Sequence, residues 1–446
     1  MRARSLSIGL AVTVAAIGHC GFSAAEVAKV REYWGEPKRN QIGPLLRDSQ
    51  EWIPQITPAG SEYLLTLYRL YGAGKVAPTR VPVPPTLELA LWEGWAHRKY
   101  DFDKAAATGI AQAKNLGSEP PVPIHFTEAM PAGMSAQLGS APTMVEAVRP
   151  NRYKLVFHDG TRVEFGDCVR VRDRYPYYRA HTGVASIGTK ATSLPSAELA
   201  RASNQAGLSP SEQKVLLAVS LLEGGFDSVN TYDTGLVSAG FIQFACLKAG
   251  SGSLGAAMLL YKERTPTVFA ANFKKLGLDV TSDGSLEAVR LSDGVVVQGS
   301  AAAAAIVADP RLAAVFVRAG RVCSYWRSTQ LRSAKKMYIP TDDRVIVHLG
   351  GFPYSVRVGD VIRSEAGLAT LTERKVNTGN LGDLGGQLGR IALTYGVTDP
   401  LDLPAIELAV VRAVTYRKDF LVEANLGRPR EVDVAAYRQG RRSRGG

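Results

Sequence analysis

The chain has 446 residues, of which 46% are hydrophobic and 21% are charged. This composition is typical of a folded protein and excludes a collagen-like, low-complexity or wholly disordered chain. The length predicts two or three domains. The formal net charge is +12, from 53 basic and 41 acidic residues, which favours an anionic partner such as nucleic acid, a cell-wall polymer or anionic lipid.

The N-terminus has the layout of a secretory signal. A basic start and an apolar stretch at 6–18 precede small residues at 23–25, where a signal peptidase would cut. We therefore expect residues 1–25 to be a signal peptide and the protein to be exported, to the periplasm or beyond the cell. A short uncleaved anchor and lipidation at Cys20 are the alternatives. No later stretch is apolar for long enough to predict a membrane span.

The cysteines and histidines predict no metal site and no cofactor. Three cysteines follow the signal, Cys168, Cys246 and Cys323, and their wide spacing contains no CxxC pair. One disulfide plus one free thiol, or three buried thiols, both fit that count. The six histidines are scattered and lack the spacing of zinc ligands.

The first half of the chain is predicted to be a separate α+β domain at 26–180, of unassigned role. Its start is a series of helical segments broken by proline. From Tyr153 the apolar residues alternate with polar ones on both sides of a His158-Asp159-Gly160 turn, which predicts a β-hairpin over 153–165. Another short strand is predicted at 168–171. Residues 181–207 are rich in small residues and are predicted to be a linker.

The second half, residues 208–425, is predicted to be an α-rich domain. Ser209-Pro210-Ser211-Glu212 has the pattern of a helix N-terminus with a capping box. The helix is expected to be buried and to end at Glu223, and a hairpin should follow over 229–244. Further helices are expected at 254–263, 266–276, 300–338 with a break at Asp309-Pro310, 364–376, 385–395 and 404–418, with a small β insertion near 281–298. The Arg-rich tail, 426–446, is expected to be disordered.

Glu223 is the residue in this half that points most directly to chemistry. A carboxylate that closes an apolar helix is unusual, because a buried charge is costly without a partner. Burial and the negative end of the helix dipole both favour the protonated form, so we expect a raised pKa. Cleavage of a glycosidic bond needs such an acid to protonate the leaving oxygen. The alternative is that Glu223 is the exposed last residue of its helix.

The segment from 205 to 425 resembles the lysozyme-like superfamily, which includes the lytic transglycosylases. The resemblance rests on Glu223 followed by Gly-Phe, on the Ser-x-Gly-x-x-Gln pattern that starts at Ser238, and on two later stretches. Pro310 to Gly320 is similar to mid-domain helices of peptidoglycan-lytic relatives. Ser364 to Gly379 is similar to their "DRxVNxG" helix end, whose asparagine borders the sugar cleft.

The resemblance implies that Glu223 is the catalytic acid and that Asn377 lines the cleft. Gly224 replaces the serine that lytic transglycosylases carry after their glutamate, and 240–244 is also similar to a strand of the chitosanases, which use a second carboxylate. The candidates for that second carboxylate are Asp233 and Asp227. The polar hairpin adds Gln243, Tyr232 and Ser238 as candidate substrate-binding residues, for which structural roles remain open.

These patterns predict an exported glycosidase-type enzyme that cleaves β-1,4 bonds of peptidoglycan or a related polysaccharide. A chitosanase-like hydrolase is the first alternative, although a basic protein suits a cationic polymer less well. A non-catalytic wall-binding or envelope protein with the same fold is the second. Export argues against nucleic acid as the partner.

Overall fold

The structure is a computed structural model that describes residues 21–35, 46–49, 51–71, 86–166 and 183–444. It is a mixed α+β protein in which helix predominates. Most of the predicted signal peptide, including Cys20, lies outside the described residues. The same is true of Cys168 and of the strand predicted at 168–171.

The helices are distributed along the whole described chain. They are α1 (Ala24–Gly35), α2 (Pro58–Tyr71), α3 (Leu87–Leu116), α4 (Met134–Leu138), α5 (Ser196–Ala206), α6 (Pro210–Ser220), α7 (Gly252–Arg264), α8 (Pro266–Asn272), α9 (Ser300–Ala308), α10 (Pro310–Val322), α11 (Ser324–Tyr338), α12 (Val358–Val361), α13 (Glu365–Thr378), α14 (Leu384–Thr394), α15 (Glu407–Val414) and α16 (Val434–Arg444). Short 3₁₀ helices cover Ala191–Ser193, Lys274–Leu276, Pro400–Ile406 and Phe420–Val422.

The strands form four antiparallel sheets. They are β1 (Leu46–Ser49), β2 (Ile53–Ile56), β3 (Val145–Val148), β4 (Asn151–Val156), β5 (Arg162–Gly166), β6 (Ala185–Ser186), β7 (Val229–Asn230), β8 (Ser238–Ala239), β9 (Phe244–Ala245), β10 (Leu278–Val280), β11 (Leu286–Val289), β12 (Val296–Gln298), β13 (Arg344–Leu349) and β14 (Phe352–Arg357). The largest sheet has the order β1-β4-β5-β6-β7-β8-β9, and the others are β10-β11-β12, β13-β14 and β2-β3.

The β4–β5 hairpin and the β10–β12 insertion confirm the predicted β segments at 153–165 and 281–298. The long helical stretch after Ser300 is broken at Asp309, as predicted, and broken again at Cys323. The β13–β14 hairpin was not predicted. Its turn is Gly350-Gly351, and both residues have positive φ, which suits the tight turn between two paired strands.

The prediction that 181–207 is a linker is wrong, because its described residues, 183–207, are folded and join the two halves. Strand β6 pairs with β5 on one side and with β7 on the other, so one sheet runs from the first half of the chain into the second. Helix α5 then packs along α11. A segment rich in Ala, Ser and Gly therefore forms a closely packed connection here and not a flexible linker.

The domain boundary changes for the same reason. Side chains of β4 and β5, such as Leu155 and Val163, belong to the same buried cluster as Val215, Phe241 and Trp326 of the second half. A smaller cluster around Trp92 and Trp95 is separate, and it is formed by α2, α3, α4 and β3. The expectation of one separate domain over 26–180 is thus corrected: in the described part of 26–180, only the elements that form this smaller cluster have a core apart from that of the second half.

The basic tail is also ordered, against expectation. Helix α16 covers Val434–Arg444, and Arg438 and Arg441 form ion pairs with the buried Asp402, at 2.8 and 3.1 Å. A fully buried carboxylate needs a compensating cation, and the tail supplies it. The tail therefore packs against the third buried cluster, which is built from β13, α14, α15 and the Pro400–Ile406 turn.

Cys246 and Cys323 are buried free thiols, so no disulfide joins them. In the part of the chain that the structure describes, no single helix is long and apolar enough to cross a membrane. The pair α9 and α10 meets that test of length and composition only jointly, across a bend of 92°.

Candidate active site

Glu223 follows helix α6, whose start is fixed by Ser209. The Ser209 hydroxyl accepts a hydrogen bond from the Glu212 amide, and the Glu212 carboxylate accepts one from the Ser209 amide, so the predicted capping box is present. The helix ends at Ser220, three residues earlier than predicted. Glu223 lies in the turn that follows, with its side chain only 12% exposed.

The carboxylate of Glu223 contacts Arg417, and Arg417 also contacts a second acid, Glu373. Nη2 of Arg417 donates to Glu223, and Nε of Arg417 donates to Oε1 of Glu373 at 2.6 Å. Glu373 is fully buried, whereas the arginine side chain is 37% exposed. One guanidinium therefore donates hydrogen bonds to two carboxylates at the edge of the core.

Asn377 completes this group. Its Nδ2 lies 3.4 Å from Oε1 of Glu223, and it also donates to the backbone oxygen of Glu373 at 2.8 Å. Glu373 and Asn377 are four residues apart on α13, so both project from one face of that helix. The structure thus brings together Glu223 and Asn377, two predicted site residues that are 154 positions apart.

Sequence reasoning missed Glu373 and Arg417. Glu373 lies within the Ser364–Gly379 stretch that carries the family resemblance, and its spacing from Asn377 was a usable signal. Arg417 lies after the end of α15, in a segment with no regular pattern. Nothing local in the sequence marks it, because its partners come from α13 and from the turn after α6.

The pKa of Glu223 is raised from its ordinary value of 4.5. Burial is the largest cause, because it removes water from the charged form. Arg417 and Asn377 favour the charged form, whereas the charge of Glu373 opposes it. Since Arg417 is shared with Glu373, it offsets the loss of hydration only in part.

Tyr338, the last residue of α11, has a pKa that responds to the charge of Glu223. Burial raises the pKa of its phenol, and the charge of Glu223 raises it further. Its ring packs near Phe244 of strand β9, with centroids 6.2 Å apart. The end of α11 therefore places a phenol within the electrostatic influence of Glu223, which the sequence did not indicate.

The Gly224-Gly225 pair has a steric role beside the site. The Gly225 amide donates to Ile187 O at 3.0 Å, and a Cβ built on Gly225 would lie 1.8 Å from the backbone oxygen of Thr189. A Cβ on Gly224 would lie 2.7 Å from Ser228 Oγ. The segment predicted as a linker thus covers Gly225, and the Ser228 side chain leaves no room for a side chain at Gly224, the residue that follows Glu223.

Asp227 is held in a structural ion pair. Its side chain is 3% exposed, and it accepts hydrogen bonds from Nε of Arg321 at 2.7 Å and from the Thr189 amide at 2.7 Å. These contacts tie the β7 side of the molecule to α10. They leave Asp227 poorly placed to activate a water, so the structure favours a structural role for it.

Asp233 lies in the hairpin turn, where its own loop satisfies its carboxylate. One oxygen accepts from Nδ2 of Asn230 at 2.6 Å and the other from the Gly235 amide at 2.8 Å. Burial raises the pKa of Asp233, although both hydrogen bonds oppose that shift. This is the arrangement of an Asx turn, and it does not include Glu223.

The hairpin residues predicted to bind substrate are largely engaged within the loop. Gln243 donates to Ser228 Oγ at 2.6 Å and to Gly240 O at 3.1 Å, and Ser238 is buried in strand β8. Tyr232 is half-buried, and its amide donates to the Asn230 side chain. The structure does not bring the first two to the Glu223 group.

Backbone strain is concentrated in this hairpin. Among the described residues, the positive φ angles outside glycine occur at Leu236, Gln243 and Leu247. Each such residue costs of order 1–3 kcal/mol, and such residues cluster at functional sites. One of them, Gln243, directly precedes Phe244, whose ring packs near Tyr338.

The arrangement suits proton transfer. It contains one carboxyl with a raised pKa, a guanidinium that can stabilise the conjugate base of that carboxyl, and the Asn377 amide beside it. Within the described ranges, no group of three or more His, Cys, Asp or Glu side chains is placed to hold a metal ion.

Comparisons of this chain with protein-family models, with curated proteins and with solved structures give no match. The resemblance to the lysozyme-like superfamily therefore remains an expectation that rests on the sequence motifs.

Proposed function

We propose that this protein is an exported glycosidase-type enzyme that cleaves β-1,4 bonds of peptidoglycan, with Glu223 as the general acid. The observation that carries the proposal is the raised pKa of a largely buried Glu223 carboxyl with Arg417 and Asn377 against it. A carboxylic acid that stays protonated above its ordinary range is what the leaving glycosidic oxygen requires.

In this mechanism the Glu223 proton moves to the bridging oxygen as the bond to the anomeric carbon breaks. The resulting carboxylate remains beside Arg417, whose fixed charge stabilises it without reorganisation. Asn377 orients the carboxyl from the α13 side. Because Arg417 stabilises the charged form, Glu223 can both lose and regain its proton although it is largely buried.

A single-acid course is favoured over one with a second carboxylate. Inversion requires a carboxylate free to activate water about 6.5–9.5 Å away, and Asp227 and Asp233 are both engaged in structural contacts. In the single-acid course, Glu223 takes the proton of the muramic acid C6 hydroxyl as that oxygen bonds to the anomeric carbon. No water is consumed, and the product is a 1,6-anhydro sugar.

The proposal is tested by digesting purified peptidoglycan, and chitosan in parallel, with the mature protein and its Glu223→Gln variant. Loss of the acid should lower the rate of cleavage by about 10²–10⁴-fold. Glu263→Gln, at an exposed glutamate of α7, is the matched control and should retain the wild-type rate. Products are identified by mass spectrometry.

Anhydro-muropeptides that disappear in Glu223→Gln support the single-acid course. Hydrated reducing ends would instead require a second carboxylate, and would make Asp233 the next residue to change. Cleavage of chitosan alone would favour the chitosanase-like alternative. A wild-type protein that binds peptidoglycan but cuts neither polymer would overturn the enzymatic proposal in favour of a wall-binding protein.

A further inference from the structure

A cavity separate from the Glu223 group lies where α1, the β4–β5 turn and the end of α8 meet. Its volume is about 600 Å³, which is within the range of small-molecule sites. Its lining is mostly polar, and no residue of the Glu223 group contributes to it. The lining residues are Lys29, Glu32, Tyr33, His158, Ala271, Asn272, Lys275, Leu276 and Arg318.

One wall of the cavity is a single face of α1. Lys29, Glu32 and Tyr33 are three and four residues apart, so they project to the same side of the helix. The next residue, Trp34, fixes the helix in place, because its Nε1 donates to the backbone oxygen of Leu276 at 3.0 Å. The Tyr33 hydroxyl lies 2.8 Å from Nδ1 of His158. This wall is therefore held on two sides by contacts with the rest of the protein.

Arg318 forms the floor of the cavity, and contacts with Asp159 and Asn272 hold its guanidinium in place. Its side chain is 8% exposed, and Nε and Nη2 donate to Asp159 at 2.9 and 2.8 Å. Nη1 donates to Oδ1 of Asn272 at 3.2 Å. A guanidinium has five N–H donors, so these contacts do not use all of them. A fixed donor of this kind binds an oxyanion with little loss of side-chain entropy.

Lys29 and Lys275 add two ammonium groups at the rim. Neither has a hydrogen bond or ion pair with another described residue. With Arg318 they make three cations, against the two acids Glu32 and Asp159, so the cavity has a positive balance. Glu32 and Asn272 offer acceptors for hydroxyl groups beside the cations.

We propose that this cavity binds a small anionic ligand that carries a phosphate or carboxylate on a sugar-sized body. Lys29, Lys275 and Arg318 hold the oxyanion, and Glu32 and Asn272 accept hydrogen bonds from the hydroxyls. The site is independent of glycan cleavage at Glu223. It links α1 to α10 and to the first half of the large sheet, so occupancy is expected to stabilise the folded state.

The test is isothermal titration of the mature protein at low ionic strength with three probes built on the same hexose ring: glucose 6-phosphate, glucuronate and neutral glucose. Binding of either charged sugar without binding of glucose supports the site. The stronger of the two identifies the preferred anion. Absence of binding for both charged sugars would overturn the proposal.

Charge variants distinguish this cavity from general attraction to a basic protein. Lys29→Ala combined with Lys275→Ala should weaken binding of the charged sugar at least tenfold, with an unchanged unfolding temperature in the absence of ligand. Arg201→Ala combined with Lys336→Ala removes the same charge from exposed positions of α5 and α11, and should change binding less than twofold. Equal weakening in both pairs would mean that the cavity is not the site.

Discussion

Two buried carboxylates four residues apart, Glu223 and Asp227, show how the surroundings decide the role of an acid. Asp227 has an arginine to itself, and Arg321 and the Thr189 amide both donate to it. Glu223 shares Arg417 with the fully buried Glu373. The pKa of Glu223 is raised, mainly by burial that the shared cation does not offset.

The comparison teaches that the compensation of a buried carboxylate depends on how many carboxylates share its cation. A one-to-one pair joins two elements of the fold, as Arg321 joins Asp227 to α10. Two carboxylates around one cation leave one negative charge without full compensation, which favours proton uptake. The first arrangement suits a structural contact, and the second suits a group that must gain and lose a proton.

The largest expected effect breaks the structural pair. Arg321→Leu leaves the buried Asp227 carboxylate without its cation, which typically costs about 3–5 kcal/mol of the free energy of unfolding. Chemical denaturation measures the loss. Arg412→Leu, at an exposed position of α15, is the control and should change stability by less than about 0.5 kcal/mol. Equal, small losses in both variants would contradict the structural role of Asp227.

A second substitution converts the Glu223 group into a one-to-one pair. In Glu373→Gln, Arg417 faces a single carboxylate, so the pKa of Glu223 should fall and the alkaline limit of cleavage should move to lower pH. At pH 8 we expect roughly a tenfold loss of rate, smaller than the ~10²–10⁴ expected for removal of the acid itself.

The readout for Glu373→Gln is the full pH profile of cleavage, compared with that of Asp159→Asn. Asp159 also pairs with an arginine, but it lies in the β4–β5 turn. An equal loss of cleavage rate at every pH, with an unchanged alkaline limit, would show that Glu373 acts only through the stability of the fold.

The raised pKa of Glu223 also predicts a pH dependence of stability. When the pKa of a carboxyl is higher in the folded state than in the unfolded chain, ionisation of that carboxyl destabilises the folded state. The wild type should therefore lose stability relative to Glu223→Gln as the pH rises above 4.5, the ordinary pKa. Denaturation midpoints of both proteins between pH 4 and pH 8 measure this. A constant difference would contradict the raised pKa.

The smallest expected effects come from the helix starts that position the two glutamates. Ser209 caps α6, and Ser364 caps α13 by accepting from the Gly367 amide at 3.0 Å. Ser209→Ala and Ser364→Ala should each cost about 1 kcal/mol, seen as a lower denaturation midpoint. Neither should move the pH profile, because both hydroxyls lie at the far ends of these helices. A shifted pH profile would show that the pKa of Glu223 depends on the positions of these helices as well as on the neighbouring charges.

Several features of this protein follow from sequence alone, because they depend on residues close together in the chain. The capping box at Ser209, the break at Asp309-Pro310 and the β4–β5 hairpin arise from local hydrogen bonding, a missing amide hydrogen and a two-residue period. Glu223 was identified in the same way, as a carboxylate that follows an apolar helix.

Other features depend on contacts between distant segments. Arg417 reaches Glu223 across 194 positions, and the segment predicted as a linker is fixed by pairing with β5 and β7. The tail is ordered because Asp402 is buried and needs a cation. Burial and charge compensation are properties of the assembled core, so only the tertiary structure decided which acid shares its arginine and which has one of its own.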